Sequence, residues 1–342
     1  MPRAAESRSD QDSIEGGMEY EVFPGKRQTS MKISVVIPVF NGSNSLPELV
    51  SRLGPVLEGL CDQSEVILIN DGSKDSSWET ICQLTAKYPT VRGINLMRNY
   101  GQHNALLCGI RAALYEAIVT LDDDLQNPPE EIPALIRKLE QGPDVVYGKP
   151  LKEQHGLWRD VASRITKLAL QKAMGSETAG NVSAFRAFRA HLRDGFAAYN
   201  GAFVSIDVLL TWATTRFDSV AVAHSPRGHG ESNYTFRKLV AHAFNMITGF
   251  TIVPLQIASL MGFCFTVFGI GIFAFVVGRY FLEGGSVPGF PFLASIIALF
   301  SGAQMLSIGV IGEYLARMHS RLLDRPVYAI REVTSFQPGK KN

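Results

Sequence analysis

An α/β domain built on an open, doubly wound sheet, followed by an amphipathic interface helix and two transmembrane helices, is the fold class that the sequence predicts. Three observations predict it. Short β-branched runs alternate with helical stretches from Lys32 onward, which is the pattern of βαβ units with right-handed crossovers. From Leu239 to Gly278, and again from Gly284 to Gly312, no Asp, Glu, Lys or Arg occurs; each run exceeds the roughly 20 apolar residues that a bilayer crossing requires. Arg237 and Lys238 precede the first run and Arg317, Arg321, Arg325 and Arg331 follow the second, while the connecting loop holds only Arg279 and Glu283. Positive charge at both outer flanks places both ends on the cytoplasmic side.

The elements follow in order. Residues 1–31 are polar, without apolar period or hydrophobic leader segment, and read as a flexible tail. Within residues 32–236, "ISVVIPVF", "EVILIND", "VRGINLM" and "EAIVTLD" are strands bounded by turn residues. Their unbroken apolarity predicts burial on both faces, as in a parallel sheet. Helices are expected from about Ser45 to Leu60 with Pro47 in the first turn, from Asp75 to Tyr88, from His103 to Tyr115 and from Pro128 to Gln141. Residues 237–250, "RKLVAHAFNMITGF", can form an amphipathic helix lying in the membrane interface. The two spans fall within 251–312, near 251–278 and 289–312, and residues 313–342 form a cytoplasmic C-terminal segment.

Charge and motif content exclude several classes. The 33 basic residues nearly cancel the 32 acidic ones, so nucleic-acid binding through bulk charge is not expected. Cys61, Cys82, Cys108 and Cys264 have neither CxxC spacing nor a zinc-ligand pattern, and a reducing compartment fits them. No Walker loop, GxGxxG or GxSxG is present, which removes the P-loop, dinucleotide and nucleophile-elbow readings.

In doubly wound sheets ligands gather at the carboxyl ends of the strands. Three polar clusters fall there: "PVFNG", "NDGSKDSS" and "DDDLQNPP". In the last, adjacent carboxylates would repel one another in a cleft unless a cation offset them. An extended chain would put Asp122, Asp124 and Gln126 on one side. Two carboxylates and an amide oxygen suit Mg²⁺ or Mn²⁺, with positions left for phosphate and water. An acidic loop capping the next helix is the plainer alternative for this segment alone.

The set "VVIPVFN", "ILINDGSKDSS", "RNYGQH", "DDDLQNPPEEIP" and "GEYLARMHSRLLDRPVY" resembles the family 2 glycosyltransferases with a GT-A fold. Within these it is similar to the polyisoprenyl-phosphate glycosyltransferases, the class that holds dolichyl-phosphate mannose synthase and the bacterial undecaprenyl-phosphate glucosyl and aminoarabinose transferases. The resemblance runs from about Lys32 to Val333. It implies that Pro38, Phe40 and Asn41 wall the nucleobase, that Asp71 contacts base or ribose, and that Asp122, Asp124 and Gln126 form the metal and diphosphate site. Gly42 departs from the acidic residue frequent there, and Asn233 from the lysine of relatives.

For an acceptor phosphate the candidates are Lys149, Arg159, Ser163, Arg227 and Ser232, because guanidinium, ammonium and hydroxyl donors match its oxygens; Arg159 and Arg227 match family positions and join the carboxylates as catalytic candidates. His103 could contact the donor or pack locally, and Arg186 is a weaker candidate at the sugar pocket. The implied activity is inverting transfer of one sugar from a UDP-sugar such as UDP-glucose to undecaprenyl phosphate, at the cytoplasmic face of the inner membrane, for envelope glycan or lipid modification. Transfer from GDP-mannose to dolichyl phosphate, and a non-catalytic membrane scaffold, are the alternatives; a processive synthase would need a QxxRW motif, which is absent. Small residues in "GFCFTVFGIGIFAFVVG" permit close helix contact. The resemblance implies a homo-oligomer, a tetramer.

Overall fold

The computed structural model of the chain describes residues 29–150, 182–201, 204–224, 253–283, 289–323 and 325–334. Strands β1 (Ile33–Val39), β2 (Ser64–Asn70), β3 (Val91–Leu96) and β4 (Ala117–Thr120) lie where the apolar runs predict them. Between them run helices α1 (Leu46–Leu60), α2 (Ser77–Lys87) and α3 (Gln102–Ala112). A 3₁₀ turn at Pro129–Glu131 then leads into α4 (Ile132–Glu140). Pro47 sits in the first turn of α1, where its missing N–H costs no hydrogen bond. The helix buries Leu46, Leu49, Val50, Leu53, Leu57 and Leu60, a stripe at three- and four-residue spacing. Thr29 is already buried and donates its N–H to the Leu60 carbonyl at 3.1 Å, so the chain joins the domain slightly before Lys32.

The sheet is completed by β5 (Val145–Pro150), β6 (Arg186–Arg189), β7 (Phe217–Val222) and β8 (Ile330–Val333), with α5 (Ile206–Ala213) before β7. Strand order is β7-β5-β6-β4-β1-β2-β3-β8. The expected parallel sheet is in fact mixed: β1 to β4 pair in parallel, but β6 runs antiparallel to both β4 and β5, and β8 antiparallel to β3. Six strands therefore end on one edge, and β8 begins there. Successive residues of β1 and β2 alternate between two cores: Val35, Ile37, Val66 and Leu68 face α1, α2 and α4, whereas Val36, Ile67 and Ile69 face α3 and α5. Burial on both faces explains the unbroken apolar runs.

Two further helices, α6 (Val253–Glu283) and α7 (Phe290–Leu322), are longer than the predicted spans. Both are long and apolar enough by length and composition to cross a membrane, with mean hydropathy of 2.4 over Pro254–Arg279 and 1.2 over Leu299–His319. They pack on each other, with the Phe265 and Phe300 rings edge to face at 5.6 Å. Outward side chains such as Phe263, Phe273 and Met305 are exposed. The predicted interface helix at 237–250 lies outside the described residues.

Candidate active site

The carboxyl edge holds a cleft of about 230 Å³ lined by Pro38, Val39, Phe40, Asp71, Asn99, Gly101, Gln102, Asp122, Asp123 and Asp124. Pro38, Phe40, Asp71, Asp122 and Asp124, five of the residues predicted for the site, thus meet in one place. The half-exposed Phe40 ring stands at the end of β1. Asp71 is 2 % exposed, and its two oxygens accept the N–H groups of Tyr100 at 2.7 Å and Gly101 at 2.8 Å. Burial raises its carboxyl above the ordinary range, and the two N–H donors oppose that rise. Asp71 therefore fastens the loop before α3 to the end of β2. "RNYGQH" serves this joint: Gly101, at φ +95°, leads into α3, and the Gln102 amide donates to Asp122 Oδ1 at 2.6 Å.

The acidic segment is not extended. It turns at Asp123 and Asp124, and Leu125 adopts φ +59°, so the two-residue alternation that would have aligned Asp122, Asp124 and Gln126 does not operate. All three consecutive aspartates line the cleft instead. Gln126 lies outside the lining, and its backbone N–H donates to Asp124 Oδ1 at 3.2 Å. The residue that sequence reasoning passed over is Asp123, whose Oδ2 accepts the Phe40 N–H at 3.4 Å. Burial pushes its carboxyl up to about 7, with the Phe40 N–H opposing and the Asp122 and Asp124 charges adding to the rise. A Cβ on residue 42 would come within 2.3 Å of Asp123 Oδ2, so glycine at 42 leaves room for this carboxylate.

Asn41 also falls outside the lining. At φ +55° it shapes the turn: its N–H donates to Ser73 Oγ at 3.0 Å, and its side-chain oxygen accepts the Lys74 N–H at 2.9 Å. The "NDGSKDSS" loop is thereby tied to the β1 loop, with Asp75 accepting from Ser43 and Ser77. Burial works to raise the Asp75 carboxyl, but these donors outweigh it and hold it below its ordinary value.

Lys149 is exposed near the carboxyl end of β5, apart from the cleft lining. Arg159, Ser163, Arg227 and Ser232 lie outside the described residues. Arg186 is corrected: it is 1 % exposed, pairs with Asp207, and donates from Nε to Thr120 Oγ1 at 3.1 Å, beneath the edge and not in the cleft. Tyr147 completes that buried cluster by donating to Asp207 Oδ1 at 3.1 Å. Removing one member would leave an uncompensated charge, so its task is structural. His103 Nδ1 accepts the Ile206 N–H at the start of α5 at 3.4 Å. The four cysteines are free thiols.

Four carboxylates line the cleft, and burial raises two of them, Asp71 and Asp123, above the ordinary carboxylate range; a cation bound among them would offset their charge. Among the described residues no three His, Cys, Asp or Glu side chains form a ready-made cation cage. The donor set therefore fits a hard divalent ion only partly ligated by protein and completed by ligand and water oxygens.

Residues 34–196 match the family model described as "Glycosyl transferase family 2". Solved structures of glucosyl-3-phosphoglycerate synthase from Mycobacterium tuberculosis are similar to this chain. The complex with phosphoglyceric acid is 22% identical, covering 64% of this chain and 78% of that one at a TM-score of 0.48. The complex with Mn²⁺ and uridine-diphosphate-glucose is 18% identical, covering 64% and 77% at 0.46. S. aureus TarS 1–349 is 17% identical, covering 56% and 60% at 0.41. The matched residues 34–196 fall within the mixed α/β sheet, which two apolar helices follow.

Proposed function

We propose that this chain transfers one sugar, with inversion, from a nucleoside-diphosphate sugar of the UDP-glucose type to a polyprenyl phosphate of the undecaprenyl type at the cytoplasmic membrane face. One observation carries the acceptor assignment. β7 and β8 are the two outermost strands of the sheet, and the chain leaves the carboxyl end of β7 before α6 and returns from α7 into β8 at that same edge. Eight residue steps separate Leu322 from Ile330, at most about 29 Å of extended chain. The acidic cleft, at the carboxyl ends of β1, β2 and β4, lies between β7 and β8 in the strand order. A sugar bound there would face the surface from which the apolar hairpin rises, and a lipid phosphate is the acceptor such a surface presents.

The chemistry fits this acceptor. A phosphate monoester has a second pKa near ~6, so its attacking oxygen is already anionic at neutral pH and no side chain has to remove a proton. Its lone pair forms the new bond at the anomeric carbon while the bond to the β-phosphate oxygen breaks and the electron pair leaves with the nucleoside diphosphate. Asp122 and Asp124, with ligand and water oxygens completing the shell, would hold Mg²⁺ or Mn²⁺; when bound, that ion would offset the charge gathering on the leaving diphosphate. Phe40 and Pro38 offer the apolar wall for the base, and Asp71 fixes the loop that faces it. Arg159, Arg227, Ser163 and Ser232, with Lys149 at the edge, are assigned to the acceptor phosphate.

Membranes containing the chain, incubated with labelled UDP- and GDP-sugars plus undecaprenyl or dolichyl phosphate, test the assignment. We expect a mild-acid-labile glycolipid from a UDP-sugar and undecaprenyl phosphate, abolished by chelation. Label that remains water-soluble with every lipid phosphate would overturn the acceptor.

A further inference from the structure

Strand β8 is four residues long, and all four are exposed. Its own side chains add little apolar burial, although Val327 and Tyr328 just before it pack on the core, and polar ties join the backbone ladder in attaching it to β3. Two routes of hydrogen bonds leave it. In the first, Glu332 Oε1 accepts from Asn95 Nδ2 at 2.9 Å, and Asn95 Oδ1 accepts from Asn70 Nδ2 at 2.8 Å. Asn70 Oδ1 then accepts the Ser73 N–H at 3.3 Å, and Ser73 Oγ accepts the Asn41 N–H, next to Phe40. Asn95 and Asn70 are only 6 % and 4 % exposed, so loss of any link strands a buried amide. A carboxylate can only accept, and Glu332 therefore fixes the orientation of both amides in the relay.

The second route uses a register shift. Asn95 pairs with Glu332 but Leu96 with Ile330, leaving Arg331 as the extra residue, and such a bulge re-aims its side chain. Arg331 Nη2 donates to the Met97 carbonyl at 3.2 Å, and the Met97 N–H donates to Ala329 at 2.9 Å. Met97 opens the loop whose Tyr100 and Gly101 N–H groups rest on Asp71. The two routes end at two segments of the cleft lining, one beside Phe40 and the other at Asn99 and Gly101.

We propose that β8 is a positioning strand for the donor cleft, with Glu332 and Arg331 as positioning residues that tie the connection from the apolar hairpin to the walls that receive the nucleotide. This rests on the donor-site reading above. A detergent-solubilised or bilayer-embedded full chain carrying Glu332→Ala should show a donor KM raised about tenfold, the equivalent of one lost hydrogen-bond link, with the acceptor KM changed less than about twofold. Glu332→Gln, whose amide oxygen can still accept from Asn95, should restore the donor KM. Hydrogen exchange without substrate should show lost protection at Asn41 and Ser73 in Glu332→Ala and at Tyr100 and Gly101 in Arg331→Ala, with unchanged protection in α4 in both. Equal shifts in both KM values, no rescue by Gln, or unchanged protection at those four amides would each overturn the proposal. If the parent chain forms no glycolipid while the variants still show the localised loss of protection, the transfer reading is overturned and the positioning strand is supported.

Discussion

Asp124→Ala should lower kcat about 10³-fold, the scale seen when a group stabilising charge in a transition state is removed, while the chain stays folded and membrane-associated. Asp124 stands on the turn after β4, outside either hydrophobic core, so its loss should leave packing intact. It lines the cleft beside Asp122 and Asp123, where the departing diphosphate and its counter-ion are assigned. Gln126→Ala is the informative partner. Because Gln126 engages Asp124 through backbone N–H and lies outside the lining, its truncation should cost less than about tenfold, a loss under ~1.4 kcal/mol of transition-state stabilisation. Steady-state rates with saturating donor and acceptor, beside a thermal unfolding curve for each variant, decide this. A Gln126 variant as inactive as the Asp124 variant would restore the amide as a ligand and contradict the turn geometry.

Gly72→Ala should damage the fold and the cleft together. Gly72 has φ +65°, and a Cβ there would sit 2.3 Å from the Asn99 nitrogen and 2.5 Å from the Arg98 carbonyl carbon, both backbone atoms. No rotamer change can relieve such a contact. Left-handed geometry costs an alanine about 1–2 kcal/mol, and overpacking typically costs about 1–3 more. The strain falls between Asp71 and the loop it holds, so a destabilisation of about 3 kcal/mol should come with a sharply raised donor KM. Unfolding of the full chain in detergent and donor titration measure both. Parental stability with parental donor KM would contradict the close approach of these loops.

The first four strands were legible because both faces are covered, so every position had to be apolar and the runs stood out against polar turns. β6 was harder: its place between β5 and β4 is a long-range choice that no local pattern declares. β8 was not legible at all, since "IREV" is short, polar and exposed, and becomes a strand only by pairing with β3. At the cleft, the family resemblance named Pro38, Phe40 and Asp71, and the acidic run named Asp122 and Asp124; all five line one cavity. Asp123 was missed because alternation was applied where the backbone had already turned; the run of three acids was the available signal. Arg186 was a candidate through the family resemblance of its segment, whereas its partner Asp207 is 21 residues distant and invisible to local reading.

That the cleft works on the cytoplasmic face, against the membrane from which the hairpin rises, is tested most directly by cysteine accessibility in intact cells. In a background lacking Cys61, Cys82, Cys108 and Cys264, single cysteines are placed at Ser286 between the two helices, at Lys74 on the carboxyl edge, and at Ser335 just after β8. An impermeant maleimide should label position 286 in intact cells and positions 74 and 335 only after permeabilisation. Labelling of 74 and 335 from outside, with 286 protected, would put the cleft on the side without nucleotide sugars and contradict transfer at the cytoplasmic leaflet.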